Sequence, residues 1–261
     1  MGRLIHFLQG LDTAAAFAVI CLGMMTLIGV MPWIRSRLLR IEVTRSVTDG
    51  AGDALKAVAG FMVFLVGFSL VQVQVQFRAT EEMVLKESNV MRALDRTLFY
   101  YGTEDAVEAR KLLGVYARSV VSDEWPLLAD SLRSQKTEDA FRAFAAKVRQ
   151  LEATTPRQQA AENELFRYLD EVIDMREARI AASEFGLNPL YWWVIQGLFT
   201  ILLVLSFFTP ASIDRTLANC GMVCAIGMML TLVLVYESPF SGDISVAPTA
   251  LRRVIDTFMV R

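Results

Sequence analysis

The run Ala57–Phe77, AVAGFMVFLVGFSLVQVQVQF, is uncharged over 21 residues and meets a charged tract at Arg78-Ala79-Thr80-Glu81-Glu82. A helix crosses the hydrocarbon core of a bilayer in about 20 such residues. The run is also patterned. Gly60, Phe64, Phe68 and Gln72 recur at every fourth position, and Gln76 carries the series to the membrane edge. Residues spaced in this way form a slowly drifting stripe on one helix face. An unpaired amide in hydrocarbon costs about 2–7 kcal/mol, so these glutamines should face other helices or water. Either they stitch helices together, or the stripe faces a pore.

This helix does not stop at the membrane. Ser69 to Tyr101 contains no glycine or proline, and Met83, Val84, Val90, Met91, Leu94 and Leu98 keep a helical apolar rhythm. One helix is therefore expected from about Ala57 to Tyr101, ended by Gly102.

Three more runs are long enough to span. Ala14–Trp33 lacks a charge over 20 residues and has no small-residue cleavage site behind it, so it reads as a retained helix rather than a signal peptide. Phe185–Ile213 is a third, starting at Asn188-Pro189, anchored by Tyr191, Trp192 and Trp193 and ending at Pro210. Thr216–Tyr236 is the fourth, with Gly221 and Gly227 suited to close helix contact. A loop at 34–56, with a flexible turn at Gly50-Ala51-Gly52-Asp53, is expected before the second span, and Asp214-Arg215 is expected in a tight hairpin.

Residues 78–188 form a polar insert with 16 Lys/Arg and 20 Asp/Glu. Its pattern is helical throughout. Thr103 should cap a helix bearing Leu112, Leu113, Tyr116 and Val120. Trp125-Pro126 should break the chain, and Thr137 should cap a helix bearing Phe141, Phe144, Val148 and Leu151. Thr155-Pro156 should open another that ends near Gly186. Past the fourth span, Glu237-Ser238-Pro239-Phe240-Ser241-Gly242-Asp243 turns sharply into a short last helix ending at Arg261. The fold class expected is thus an all-α membrane protein with four transmembrane helices and a helical extramembrane insert. Its parts are 1–77 (first transmembrane pair), 78–188 (insert), 189–236 (second pair) and 237–261 (tail). Four spans put both termini and the insert on one side.

Composition narrows the chemistry. A 54% hydrophobic content makes the bilayer itself much of the surroundings, and a net charge of −2 gives no footprint for nucleic acid. The cysteines Cys21, Cys220 and Cys224 lie in apolar runs and read as small hydrophobes. His6 is the single histidine, so neither a multi-histidine metal site nor a His-based triad is available. No catalytic residue, metal site or cofactor is expected. Gly50-Ala51-Gly52 lacks the Lys-Ser/Thr of a phosphate loop. No span carries a mid-membrane ionisable residue, which a proton-driven stator would need. Lys/Arg counts do not decide sidedness: Arg35, Arg37, Arg40, Arg45, Lys56 and Arg215 flank one side, and Arg3, Arg78, Lys86, Arg92, Arg176, Arg179, Arg252 and Arg253 the other.

Phe64-Leu65-Val66-Gly67-Phe68 resembles the Phe-x-x-Gly-Phe neck of the bestrophin anion channels, and Pro239-Phe240-Ser241-Gly242-Asp243 resembles the Pro-Phe-Gly-acidic stretch after their last span. From roughly Ala14 to Ile255, the chain is similar to the bacterial bestrophin-like family of uncharacterised membrane proteins. The Asp123-Glu124-Trp125-Pro126 turn, the Tyr168-to-Arg179 helix and the tail motif Pro239, Phe240, Gly242, Asp243 carry that similarity. The resemblance implies a homopentamer in a bacterial inner membrane, conducting small anions such as chloride. Its second helix would line the pore with Gly60, Phe64, Phe68, Gln72 and Gln76. It also implies that the insert and both termini are cytoplasmic. The chain departs from the family at Gly60, where a bulkier residue usually sits. It also lacks the run of acids behind the calcium clasp of animal bestrophins, with Asp243 alone in place.

A ring of phenylalanines gates by dewetting and turns weakly positive ring edges toward an anion. The plain alternative is that Phe61, Phe64 and Phe68 pack helices. Asp170, Asp174 and Glu177 share a helix face, read as a solvated face beside Arg176 and Arg179 rather than a cation site. Glu237 reads as a helix-end residue with no necessary role in conduction. The alternative function is a non-conducting scaffold or sensor whose insert binds a partner.

Overall fold

The computed structural model describes residues 12–259, which form eight α-helices and no strand. They are α1 (Thr13–Trp33), α2 (Arg45–Tyr101), α3 (Glu104–Ser119), α4 (Gln135–Arg149), α5 (Pro156–Ser183), α6 (Pro189–Phe208), α7 (Ile213–Glu237) and α8 (Thr249–Met259). Four segments are long and apolar enough to cross a membrane: Thr13–Leu39, Arg45–Tyr101, Pro189–Phe208 and Ile213–Glu237. The all-α, four-span architecture expected from the sequence is the one observed. The expectations placed on Arg3, His6 and the end of the last helix at Arg261 lie outside the described residues.

The chain divides into two compact units. One comprises residues 12–76, 186–238 and 242–244; the other comprises 77–185, 239–241 and 245–259.

In the first unit, α1 packs against α6 and α7. The apolar centre holds Ile28, Leu55, Ala59, Met62, Val66, Leu202, Val223, Ile226 and Val233. Small residues set the closest approach of α1 to α7. A Cβ on Gly227 would stand 3.1 Å from Cys21 Sγ and 3.4 Å from its Cα, and a Cβ on Gly29 would stand 3.1 Å from Cys220 Sγ. Gly221, expected beside Gly227 at this contact, has nothing within 4 Å of a Cβ position. Gly29 on the facing helix takes that role. All three cysteines are free.

The largest departure from expectation is the start of α2. No loop or turn occupies 45–56; the helix begins at Arg45 and runs through Gly50 and Gly52. Each interior glycine costs about 1 kcal/mol against alanine. Burial of Ala51 (8% exposed) and Leu55 (1% exposed), with a 57-residue helix already nucleated, offsets that cost. At the same end, Asp214 and Arg215 lie in the first turn of α7 rather than in a hairpin, and the bend is carried by Thr209–Ser212. Pro32 does not end α1 abruptly. The chain widens into a π turn over Ile34–Leu39 and stops at Arg40, in the left-handed region with φ 51°.

In the second unit, Gly102 takes φ +76° and ends α2, and Thr103 caps α3 by accepting from Ala106 N at 3.2 Å. Trp125-Pro126 falls at a tightened 3₁₀ turn, Trp125–Asp130. Thr155 and Gln158 form a reciprocal capping box on α5, with Pro156 at its first position. The expected cap at Thr137 is replaced by Ser134, which accepts from Thr137 N at 3.2 Å. Thr137 is fully buried, its hydroxyl 2.9 Å from that of Ser119.

Candidate functional site

The stripe on α2 lies on the face that its own unit leaves uncovered. Leu55, Ala59, Met62, Val66 and Val73 turn inward and are buried. Phe64 and Phe68 are 71% and 66% exposed, and Gly60 and Gln72 are exposed with them. Neither ring packs into the core of its own chain, and no heavy atom lies within 4 Å of a Cβ position at Gly60. Gln76, at the end of the series, is half-buried and partnered. Phe61, Val71 and Val75 are also exposed, so the open arc is broader than the stripe itself.

A second constellation lies inside the other unit. Glu87 on α2, Glu124 in the turn after α3, and Arg176 and Arg179 on α5 are all buried. Arg179 donates to Glu87 and Glu124. Arg176 donates to Glu124 through Nη2 at 2.7 Å and to Glu138 on α4. Burial disfavours charging both guanidiniums, but the carboxylates beside them prevail and hold both above the ordinary arginine range. Tyr116 is buried against the same groups, and desolvation pushes its phenol up. A helical count on α5 puts Arg176 and Arg179 beside the solvated acids. The structure turns the arginines inward, while Asp170, Asp174 and Glu177 stay exposed and Glu177 pairs with Arg133. The four buried charges are invisible to composition, because a buried ion pair and a surface one are spelled alike.

The tail motif is split between two environments. Phe240 is buried edge-to-face against Trp125, centroids 5.5 Å apart, and the Arg179 guanidinium lies 5.7 Å above that indole. Pro239 O accepts from Val246 N at 2.8 Å, which closes the turn. Gly242 has φ +77°, and Asp243 accepts from Thr13 N at 3.0 Å in the membrane unit. That N–H bond holds the Asp243 carboxyl below its ordinary value, while the side-chain hydrogen bond with Asp243, and then its charge, raises Asp12. Asp243 thus holds the start of α1, where an exposed helix N–H would otherwise lack a partner.

The turn Asp123–Pro126 and the tail, which carry the likeness noted in the sequence, therefore meet at Trp125–Phe240. A family model for the bestrophin-like domain matches residues 29–251. The chain belongs to the bestrophin-like family. Among solved structures, it is similar to a mutant of a bacterial bestrophin homologue from Klebsiella pneumoniae, at 14% identity and a TM-score of 0.59, over 94% of this chain and 99% of that one. A second crystal structure, of a membrane protein, matches at 14% identity and a TM-score of 0.58, over 92% of this chain and 97% of the other. No curated protein matches the sequence.

In this bestrophin-like chain, Glu237 is buried at the end of α7. Its Oε1 accepts from Leu187 N at 2.9 Å and from Trp192 Nε1 at 3.3 Å. It ties the chain entering α6 to the end of α7, a positional role the sequence does not disclose. Among the described residues no three His, Cys, Asp or Glu side chains are grouped to hold a metal ion.

Proposed function

We propose that the protein is an oligomeric anion channel, a pentamer whose α2 helices line the pore with Gly60, Phe64, Phe68, Gln72 and Gln76. The observation that carries this reading is the uncovered face of α2. Phe64, Phe68 and Gln72 stand outward there, although the opposite face of the same helix is fully packed. Exposed phenylalanines alone would suit lipid. Gln72 would not, since its amide needs water or a partner. A ring of copies around a wet axis meets both needs, with Phe64 and Phe68 as a dewetting constriction and Gln72 hydrating the mouth. Membership in the bestrophin-like family supports the channel class. In this reading the 78–188 insert faces the cytoplasm of a bacterial cell, and chloride and other easily dehydrated anions are the cargo.

The test is halide flux into liposomes carrying the purified protein, paired with projection images of the same sample. The expected result is a five-fold particle and a flux that rises several-fold in Phe64→Ala. A silent protein whose Phe64→Ala variant is equally silent would overturn the channel. A monomer or dimer would overturn the ring and favour a non-conducting scaffold.

A further inference from the structure

After Trp33, at the end of α1, the chain runs Ile34-Arg35-Ser36-Arg37-Leu38-Leu39-Arg40-Ile41, three arginines with apolar residues among them. Arg35 is buried and fixes the base of this segment, donating through Nη2 to Thr209 O just past α6, at 3.1 Å. Arg40 then turns the chain, and Ile41 N donates back to Arg35 O at 3.2 Å. Ile41 is thereby returned to the end of the span instead of leading away from it. Leu38, Leu39 and Ile41 are 75%, 52% and 45% exposed, and Leu38 is the most exposed large apolar side chain among the described residues. Clustered apolar side chains of this kind mark a contact surface, and beside arginines at the end of a span they suit the boundary between headgroups and acyl chains.

The arginines of the segment lack an opposite charge. Elsewhere in the described part of this unit every exposed cation has one: Arg45 and Arg215 pair with Asp49, and Lys56 pairs with Asp53. Arg37 and Arg40 are exposed and form no ion pair among the described residues, and Glu42 is the one acid from Thr13 to Thr48. The Arg37 guanidinium lies 5.1 Å from the centroid of the Trp33 ring, a side chain that settles at headgroup level. That contact sets a cation at the depth of lipid phosphates. Charge and apolarity together select the occupant. A free phosphate would meet the guanidiniums and leave Leu38 and Leu39 in water. A zwitterionic lipid would cover the leucines but bring its own cation toward Arg37 and Arg40. An anion joined to hydrocarbon satisfies both.

We infer that residues 34–41 are a docking segment for an anionic phospholipid, whose phosphate meets Arg37 and Arg40 and whose acyl chains cover Leu38, Leu39 and Ile41. Arginine grips phosphate oxygens in a fork, which favours it over a point charge at such a seat. The segment lies outside the α2 stripe, and its lipid contact does not depend on conduction.

The experiment is fluorescence quenching of Trp33 in the full-length protein, placed in phosphatidylcholine nanodiscs into which brominated phosphatidylglycerol or brominated phosphatidylcholine is titrated. The Trp33 signal is the difference between the native chain and Trp33→Phe. Half-maximal quenching should need a fraction of the brominated anionic lipid about 25-fold below that of brominated phosphatidylcholine, about 5-fold from each arginine. Arg37→Gln and Arg40→Asn should each raise that fraction about 5-fold, and the double variant should remove the preference. Both arginines are exposed, and asparagine tolerates the left-handed backbone at position 40, so the variants keep the fold, which circular dichroism checks. Strong salt should shrink the native preference. Equal quenching by the two lipids in the native chain would overturn the seat, as would a preference that survives in the double variant. No quenching by either lipid would put a second copy of the chain against the segment and overturn it as well.

Discussion

The ring of Phe240 meets that of Trp125 at an interplanar angle of 83°, and through that indole the tail is set beside the Arg179 guanidinium. The pair joins a residue after the last span to the turn between α3 and α4. It is the means by which a short tail motif is tied into the helical insert. Phe240→Ala should therefore destabilise the second unit by about 3 kcal/mol, combining lost apolar burial with the lost edge-to-face contact. Thermal unfolding followed by tryptophan fluorescence would read it, and Phe240→Leu should recover most of the loss.

Arg179→Ala should be more damaging. It strands the fully buried Glu87 and leaves the equally buried Glu124 to Arg176 alone. Removing one partner of a buried pair costs about 3–5 kcal/mol. The expected outcome is loss of the folded peak in size-exclusion chromatography. Exchange of the exposed pair member Arg133→Ala should change stability by no more than about 1 kcal/mol.

Acid should loosen the same region. Glu138 is held below its ordinary value of 4.5 chiefly by the hydrogen bond from Arg176. A depressed carboxylate stabilises the fold above its unfolded value, and that contribution is lost as pH falls through the lower folded value. Melting temperature should therefore be flat above about pH 5.5 and fall below about pH 4.5, and Glu138→Gln should show a shallower fall. An unchanged profile in that variant would assign the acid loss elsewhere.

The two glycines of α7 should separate cleanly. Gly227→Leu forces a side chain into Cys21 on α1, and overpacking of this kind costs about 1–3 kcal/mol. Gly221→Leu meets open space within the chain and should leave the melting temperature of the monomeric fold unchanged. Thermal scans of both variants in detergent decide it.

Gln72→Leu distinguishes a wet face from a lipid face. Toward lipid, the exchange would raise stability. Toward a water-filled axis, it should lower halide flux several-fold and leave the melting temperature within about 1 °C, since a surface exchange of this kind changes stability little. Flux and melting on one preparation give the two readings together.

Much of the architecture was legible in the residues alone. Four uncharged runs, the unbroken 69–101 segment, Gly102 and the Thr155-Pro156 start depend on local composition and spacing, so each could be read from a few neighbours along the chain. The same holds for the Gly60-Phe64-Phe68-Gln72 register, which is arithmetic on a helix. The 45–56 part of the loop expected at 34–56 is helix instead, because glycine propensity is local, while the burial of Ala51 and Leu55 that outweighs it depends on other helices. Thr137 was misplaced as a cap because its burial against Ser119 comes from a residue 18 positions away.

The tertiary structure alone decided which charges are inside. Arg176 and Arg179 share their helix with exposed acids, and only the arrival of Glu87 and Glu124 from distant segments makes their burial affordable in free energy. It also decided that Trp125 receives Phe240 and that Glu237 holds the entry to α6. Local sequence sets the period of a helix and the residues that can end it; long-range packing chooses which face is covered, because burial energy depends on what the rest of the chain brings to that face.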